Sequence, residues 1–254
     1  MTATPSVALV TGGARRIGRA IAEDLARNGW AVAIHCHNSR DEAEVLATEC
    51  RKAGARAEVI EADLAETASA GSLIASAQAA LGPVTLLVNN ASIFEKDRIG
   101  ALDVELWHRQ MAINLAAPVF LADAFAAALP AGVEGNIVNI IDQRAWKPTP
   151  HYISYQLSKS ALLTATRTLA QALAPRIRVN AIGPGPTLPS PRQSEADFHR
   201  QAAAIPLQRA TDLADFGRTI RYLVATPSIT GQMIALDGGQ HIAWQTPDIL
   251  GTNE

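Results

Sequence analysis

The chain has 254 residues, 48 % hydrophobic and 5 % aromatic, with a formal net charge of −2. That length suits a single α/β domain over residues 1–254 with an Ala-, Val-, Leu- and Ile-rich core. The small charge, with no long run of either sign, argues against electrostatic binding to nucleic acid or an anionic membrane. No apolar run approaches the roughly 20 residues of a membrane span. The opening "MTATPSVALVTGG" has no basic n-region before its first apolar strand. Cys36 and Cys50 have no CxxC partner and read as inert thiols in a reducing compartment, so a cytoplasmic protein is expected.

Short apolar runs alternate with amphipathic, Ala-rich stretches along the whole chain. In order, strands are expected at 7–11, 31–36, 55–60, 84–89, 136–141, 177–182 and 232–239, with helices near 16–28, 40–53, 67–81, 102–129, 152–174 and 211–226. Continuous apolar strands separated by helices predict a Rossmann-type α/β fold, a doubly wound parallel sheet of seven strands covered on both faces. One stretch breaks the alternation. Residues 183–210 carry five prolines and two glycines, a composition expected of a functional loop or lid that binds substrate.

The first strand runs into "TGGARRIGRAI". Gly12, Gly13 and Gly18 in that strand–turn–helix context let the backbone approach a pyrophosphate seated on the positive end of the helix. The second strand ends in "HCHNSR", with His37, Asn38, Ser39 and Arg40 but no acid until Asp41. An acid there would repel a 2′-phosphate. Its absence, with cationic Arg15 and Arg16 in the first turn, favours NADPH over NADH. Further on, Tyr155 and Lys159 stand one helical turn apart on a shared face, a pairing in which a lysine cation makes a phenol a better proton donor. Tyr152 is a second phenol, but Gln156 stands where its lysine would be.

Thr11-Gly12-x-x-x-x-x-Gly18, Asn89-Asn90-Ala91, Tyr155-x-x-x-Lys159 and Pro184-Gly185, in this order and spacing, resemble the short-chain dehydrogenase/reductase family over essentially the whole chain. The resemblance implies a nicotinamide cofactor and a homotetramer. It places Ile17 in the cofactor turn, Asp63 and Leu64 at the adenine, Asn90 and Ala91 beneath the ribose, and Pro184 and Gly185 at the nicotinamide carboxamide. Asn114 is implied to complete a proton relay through Lys159 and water. Asp142 occupies the slot of the family's usual catalytic serine. Together with Arg16 and with Ser92 and Phe94 of "NNASIF", it is similar to the pteridine reductase branch.

A pterin needs an aromatic face and in-plane hydrogen bonds more than a serine clamp. Phe94 is therefore expected to stack on the heterocycle, Arg16 and Ser92 to contact its polar edge, and Asp142 to assist Tyr155. The expected activity is NADPH-dependent reduction of dihydrobiopterin, dihydromonapterin or dihydrofolate. A carbonyl reductase acting on a small ketone or acyl-carrier substrate is the alternative, and a non-catalytic NADP(H) sensor the third.

Overall fold

The computed structural model describes residues 6–190 and 192–246. The expected chain start at 1–5, the segment 247–254 of the 1–254 domain, and Pro191 of the proline-rich stretch lie outside the described residues. Seven strands form one parallel sheet: β1 (Val7–Val10), β2 (Ala31–Cys36), β3 (Ala57–Glu61), β4 (Val84–Asn89), β5 (Gly135–Ile140), β6 (Ile177–Pro184) and β7 (Met233–Leu236). Their order across the sheet is β3-β2-β1-β4-β5-β6-β7. The chain winds outward from β1 to β3, returns to the other side of β1 as β4, and winds outward again. That reversal leaves a crevice at the carboxyl ends of β1 and β4, where ligands of open α/β sheets bind.

The helices are α1 (Arg16–Arg27), α2 (Arg40–Lys52), α3 (Ser69–Leu81), α4 (Val104–Met111), α5 (Ala117–Ala128), α6 (Ile153–Leu173), α7 (Glu195–Ala203) and α8 (Leu213–Ala225). Successive residues of β1 point to opposite faces. Ala8 and Val10 join Ile21 and Leu25 of α1, Leu46 of α2 and Phe216 of α8 in one core. Val7 and Leu9 join Leu73 and Ile74 of α3 and Leu121 and Phe125 of α5 in the other. Every residue of β1 and β2 is buried, which is why these strands read as unbroken apolar runs rather than alternating ones.

Two departures from the sequence reading matter for the site. The helix expected near 102–129 is α4 and α5 joined by a π-helical segment, Ala112–Ala116, so the register shifts at Asn114. By length and composition the run Val104–Ala128 could cross a membrane, contrary to the expectation that no such run exists. It packs instead as a core element that buries Gln110, Asn114, Leu121 and Phe125. The 183–210 stretch, for its part, is not all loop. It contains the end of β6 and the helix α7, whose N-cap Ser194 accepts from the Asp197 backbone N–H at 3.1 Å. Serine followed three residues later by an acid is a helix-start signal present in the sequence.

Arg178 of β6 secures the far end of the sheet. Its guanidinium donates to the carbonyls of Leu223, Val224, Thr226 and Ile229 at 2.8–3.2 Å, closing the C-terminal end of α8 and the turn after it. A cation on these orphan carbonyls satisfies both their hydrogen bonding and the helix dipole. Arg178→Ala is expected to lower the unfolding free energy by about 2–3 kcal/mol. Urea denaturation measures it, and a loss below ~0.5 kcal/mol would show the cap to be dispensable.

Candidate active site

The glycine turn after β1 is held from both sides. From the β4 side, Asn90 Nδ2 donates to the carbonyls of Thr11 and Gly12 at 2.9 and 3.0 Å. The backbone N–H groups of Asn90 and Ala91 donate to Thr11 Oγ1 at 2.9 and 3.0 Å. From the β2 side, His35 Nδ1 accepts the Gly12 N–H at 3.0 Å, and its Nε2 lies 3.0 Å from the Ala62 carbonyl. A nitrogen that accepts carries no proton, so the proton sits on Nε2 and donates to Ala62. Burial lowers the His35 pKa and keeps the ring neutral. Gly12 has φ +59°, and a Cβ on Gly18 would stand 2.1 Å from the Gly12 carbonyl oxygen, so both positions require glycine. Helix α1 then begins with no side-chain cap and no acid in its first turn. Its N-terminal N–H groups and dipole therefore suit an anion.

Around this turn the remaining nucleotide residues sit as follows. His37 and Asn38 are exposed and Ser39 is half-buried at the start of α2. Asp63 accepts the Ala65 N–H through Oδ1, and its Oδ2 lies 4.0 Å from His37 Nε2. Leu64 is buried in the core beside α3. Arg15 pairs with Glu42, and Arg40 with Glu61 at 3.1 Å. Ile17, Asn90, Pro184 and Gly185 line a cleft of about 510 Å³ that also holds Tyr155, Lys159 and Asp142.

Asp142 stands two residues beyond β5 and Tyr155 lies in the first turn of α6. The Tyr155 hydroxyl donates to Asp142 Oδ2 at 2.9 Å. Asp142 is held in turn by the backbone N–H of Arg144 at 2.8 Å and its guanidinium at 3.2 Å. Asp142 thus caps its own turn, pairs with Arg144 and touches the phenol at once. Lys159 Nζ donates to the Ile140 carbonyl at 2.8 Å and lies 5.8 Å from the Tyr155 ring centre. Burial pulls the ammonium down to about 8, against a smaller upward pull from Asp142. The Tyr155 pKa is raised well above its ordinary value, by burial first and then by the Asp142 charge and hydrogen bond. Burial and the Asp142 carboxylate thus raise the phenol pKa, opposite in direction to the lowering expected from Lys159.

The proline-rich stretch covers the cleft. Arg16 donates to the carbonyls of Pro189 and Leu188 at 3.0 and 3.3 Å. Arg192 reaches from the same stretch to Glu95 at 2.9 Å and to the Phe94 carbonyl at 2.5 Å. Arg16 thus lines the cleft and tethers the covering loop at once. Phe94 stacks on Tyr152 with centroids 4.3 Å apart and meets Tyr155 edge-on at 4.6 Å. The guanidinium groups of Arg144 and Arg192 lie 5.4 and 5.5 Å from its centre. Phe94 and Tyr152 together form an aromatic wall of the cleft.

Residues 6–199 match the short chain dehydrogenase family. The chain belongs to the short-chain dehydrogenase/reductase family. It is 30 % identical over 248 residues to a short-chain type dehydrogenase/reductase of Picea abies, covering 92 % of each chain. Two solved structures share the fold far more closely. FolM alternative dihydrofolate reductase 1 from Brucella canis, complexed with NADP, has 58 % identity and a TM-score of 0.94, covering 97 % of this chain and 98 % of its own. The Brucella suis protein, also with NADP, has 59 % identity and a TM-score of 0.94, covering 98 % and 100 %.

Within this short-chain dehydrogenase, Asn114 lies in the π-segment and is fully buried. The amide accepts from Ser92 Oγ and the Ile93 N–H at 3.0 and 2.9 Å, and donates to the Ile93 carbonyl and Ser158 Oγ at 3.0 and 3.2 Å. It thereby occupies the Ser92 hydroxyl proton. The sequence reading missed Gln143, Arg144 and Arg192, and weighed Tyr152 only as a rival phenol; all four line the cleft. It also missed Asp97, a buried carboxylate that accepts the Ser154 N–H at 3.1 Å, bonds the Ser154 hydroxyl and so caps α6. The Asp97 carbonyl takes the Tyr152 N–H at 3.0 Å, where Tyr152 turns into the helix with φ +60°. These bonds set the register of Tyr155.

A desolvated ammonium opposes folding. Lys159→Met is expected to raise the unfolding free energy by on the order of 1–2 kcal/mol at pH 7, offset in part by the donor that Ile140 loses. The Lys159 pKa falls from 10.5 unfolded to about 8 folded. Between those values the unfolded chain binds more protons, so wild-type stability rises with pH and the gap to the variant narrows. Thermal melts at pH 7 and pH 10 measure both effects. A variant less stable than wild type at pH 7 would contradict the argument.

Proposed function

We propose that this short-chain dehydrogenase is an NADPH-dependent reductase of pterin-type substrates: dihydrobiopterin, dihydromonapterin or dihydrofolate. The observation that carries this reading is Asp142 accepting the Tyr155 hydroxyl at 2.9 Å inside the cleft. A carboxylate there accepts hydrogen bonds from the N–H and amino groups of a pterin but has none to offer the developing oxyanion of a ketone. The likeness to two proteins described as alternative dihydrofolate reductases with NADP supports the same substrate class and cofactor.

The nucleotide residues fit the cofactor. The uncapped start of α1 and the crowded Gly12–Gly18 contact suit a pyrophosphate. His37, Ser39, Arg40 and Arg15 form the surface for a 2′-phosphate. The pairs of Arg15 with Glu42 and Arg40 with Glu61 are solvent-exposed, and such pairs exchange readily for a phosphate dianion. Asp63, Leu64, Ala91, Pro184 and Gly185 border the adenine, ribose and nicotinamide ends, and Asn114, which holds Ser92 and Ile93, completes a proton relay through Lys159 and water. When bound, NADPH supplies the hydride that adds to a ring carbon of the substrate C=N bond.

Tyr155 supplies the proton. Burial and Asp142 keep the phenol protonated. A ring nitrogen that has gained the electron pair is more basic than a phenolate, so the transfer runs downhill even from a weakly acidic phenol. Lys159 and Arg144 hold positive charge beside the phenolate that remains. The reading extends to a cytoplasmic homotetramer. Buried, free Cys36 and Cys50 suit a reducing compartment, and exposed Val104, Phe120 and Leu157 on α4, α5 and α6 are available for self-association.

NADPH oxidation with dihydrobiopterin, dihydrofolate, an acetoacetyl thioester and simple ketones tests the proposal. Pterin turnover is expected, with a loss of at least ~100-fold in kcat for Tyr155→Phe and a lower pterin rate for Asp142→Ser. Ketone turnover without pterin turnover would overturn it. NADPH binding with no turnover of any substrate would point to a sensor instead.

A further inference from the structure

Gln143 follows Asp142 at the start of the short turn Gln143–Ala145 and lines the cleft while only 4 % exposed. Its backbone carbonyl accepts from the N–H groups of Trp146 and Lys147. Its side-chain Oε1 has no hydrogen-bond partner among the described residues. A buried amide oxygen left unpaired is costly, and native proteins rarely keep one without a use. Two other buried oxygens are also unpaired, on Asn89 and Gln110. Both belong to interior residues whose amide nitrogens are bonded, Asn89 to Asn139 and Gln110 to Ser154, and neither lines the cleft. Among these orphans, Gln143 alone stands at the site, one residue from the group that touches Tyr155.

We infer that Gln143 determines substrate specificity by pairing its amide with the lactam edge of the heterocycle. A primary amide offers one acceptor and two donors. A pterin lactam presents a ring N–H beside a carbonyl, so the two groups match through two parallel hydrogen bonds, as glutamine matches adenine. The carboxylate of Asp142, an acceptor only, cannot read the carbonyl half of that edge. Gln143 supplies the missing donor from the adjacent position. A ketone has no such edge, so the amide adds discrimination that Tyr155 and Lys159 lack. This inference rests on the pterin reading above.

The test replaces Gln143 with Met, and separately with Leu, in the full chain and measures three quantities. For dihydrobiopterin the KM is expected to rise roughly 10-fold or more, because a buried hydrogen-bonding pair is broken in the complex. The Kd for NADPH, titrated by cofactor fluorescence, is expected to stay within about 2-fold, since the amide does not serve the nucleotide. The melting temperature without substrate is expected to rise by roughly 2–4 °C, because an orphan polar atom leaves the interior. A merely structural glutamine would lower it. Wild-type turnover of pterin with unchanged KM in both variants overturns this inference alone. Weakened NADPH binding at constant pterin KM assigns the amide to the nicotinamide carboxamide and overturns it too. A wild-type protein that reduces no pterin overturns both this inference and the reading on which it rests.

Discussion

The hydrogen bond from Tyr155 to Asp142 joins the end of β5 to the first turn of α6 across the crevice of the sheet. For the two groups to meet, β5 must end where it does, the turn after it must aim the carboxylate inward, and α6 must start in one register. Each condition has its own restraint. Arg144 holds the carboxylate by two hydrogen bonds. Asp97 pins the Ser154 N–H, and Gln110 bonds the same serine hydroxyl at 2.6 Å. An acid at a helix N-terminus is also favoured by the helix dipole. The reactive phenol therefore sits on rigid elements rather than on a loop, which is the arrangement a proton donor needs.

The nucleotide half depends on a comparable set of cross-links. The glycine turn would be a soft connection on its own. Asn90 ties it to the end of β4 and His35 ties it to the end of β2, one strand on each side of β1. His35 can do so only as a neutral ring, because a second ring proton would face the Gly12 N–H donor. Its burial secures that state. The Gly12 N–H is thereby taken by the protein, and it is the uncapped start of α1 that is left for an anion.

Much of this is legible in the sequence. Strands buried on both faces announce themselves as apolar runs, and the Tyr155–Lys159 spacing places two side chains on one face whatever the tertiary context. Asp142 was legible as a departure from a family pattern. What sequence spacing could not reveal was which partner each polar group chooses. Arg16 bonds carbonyls more than 170 positions away, contacts that depend on where the proline-rich stretch folds back. Phe94 finds Tyr152 because α4, α6 and the loop after β4 converge. Asn114 is turned by a π-segment that no periodicity in "MAINLAAP" announces. The helix α7 is a different case, since its Ser194–Asp197 cap was readable and the proline content around it masked it.

The covering stretch joins the two halves. Arg16, at the nucleotide end, holds its main chain near Leu188 and Pro189, while Arg192 anchors the same stretch to Phe94 and Glu95 at the substrate end. Both arginines are solvent-exposed, and exposed charged contacts of this kind contribute little each. Tyr155 and Asp142, by contrast, are buried. Stability is therefore graded across the cleft, firm where proton transfer needs fixed distances and soft where ligands must pass. Arg16 and Phe94 belong to the cover and the wall of the cleft they line, and the buried groups next to Tyr155 form its fixed floor.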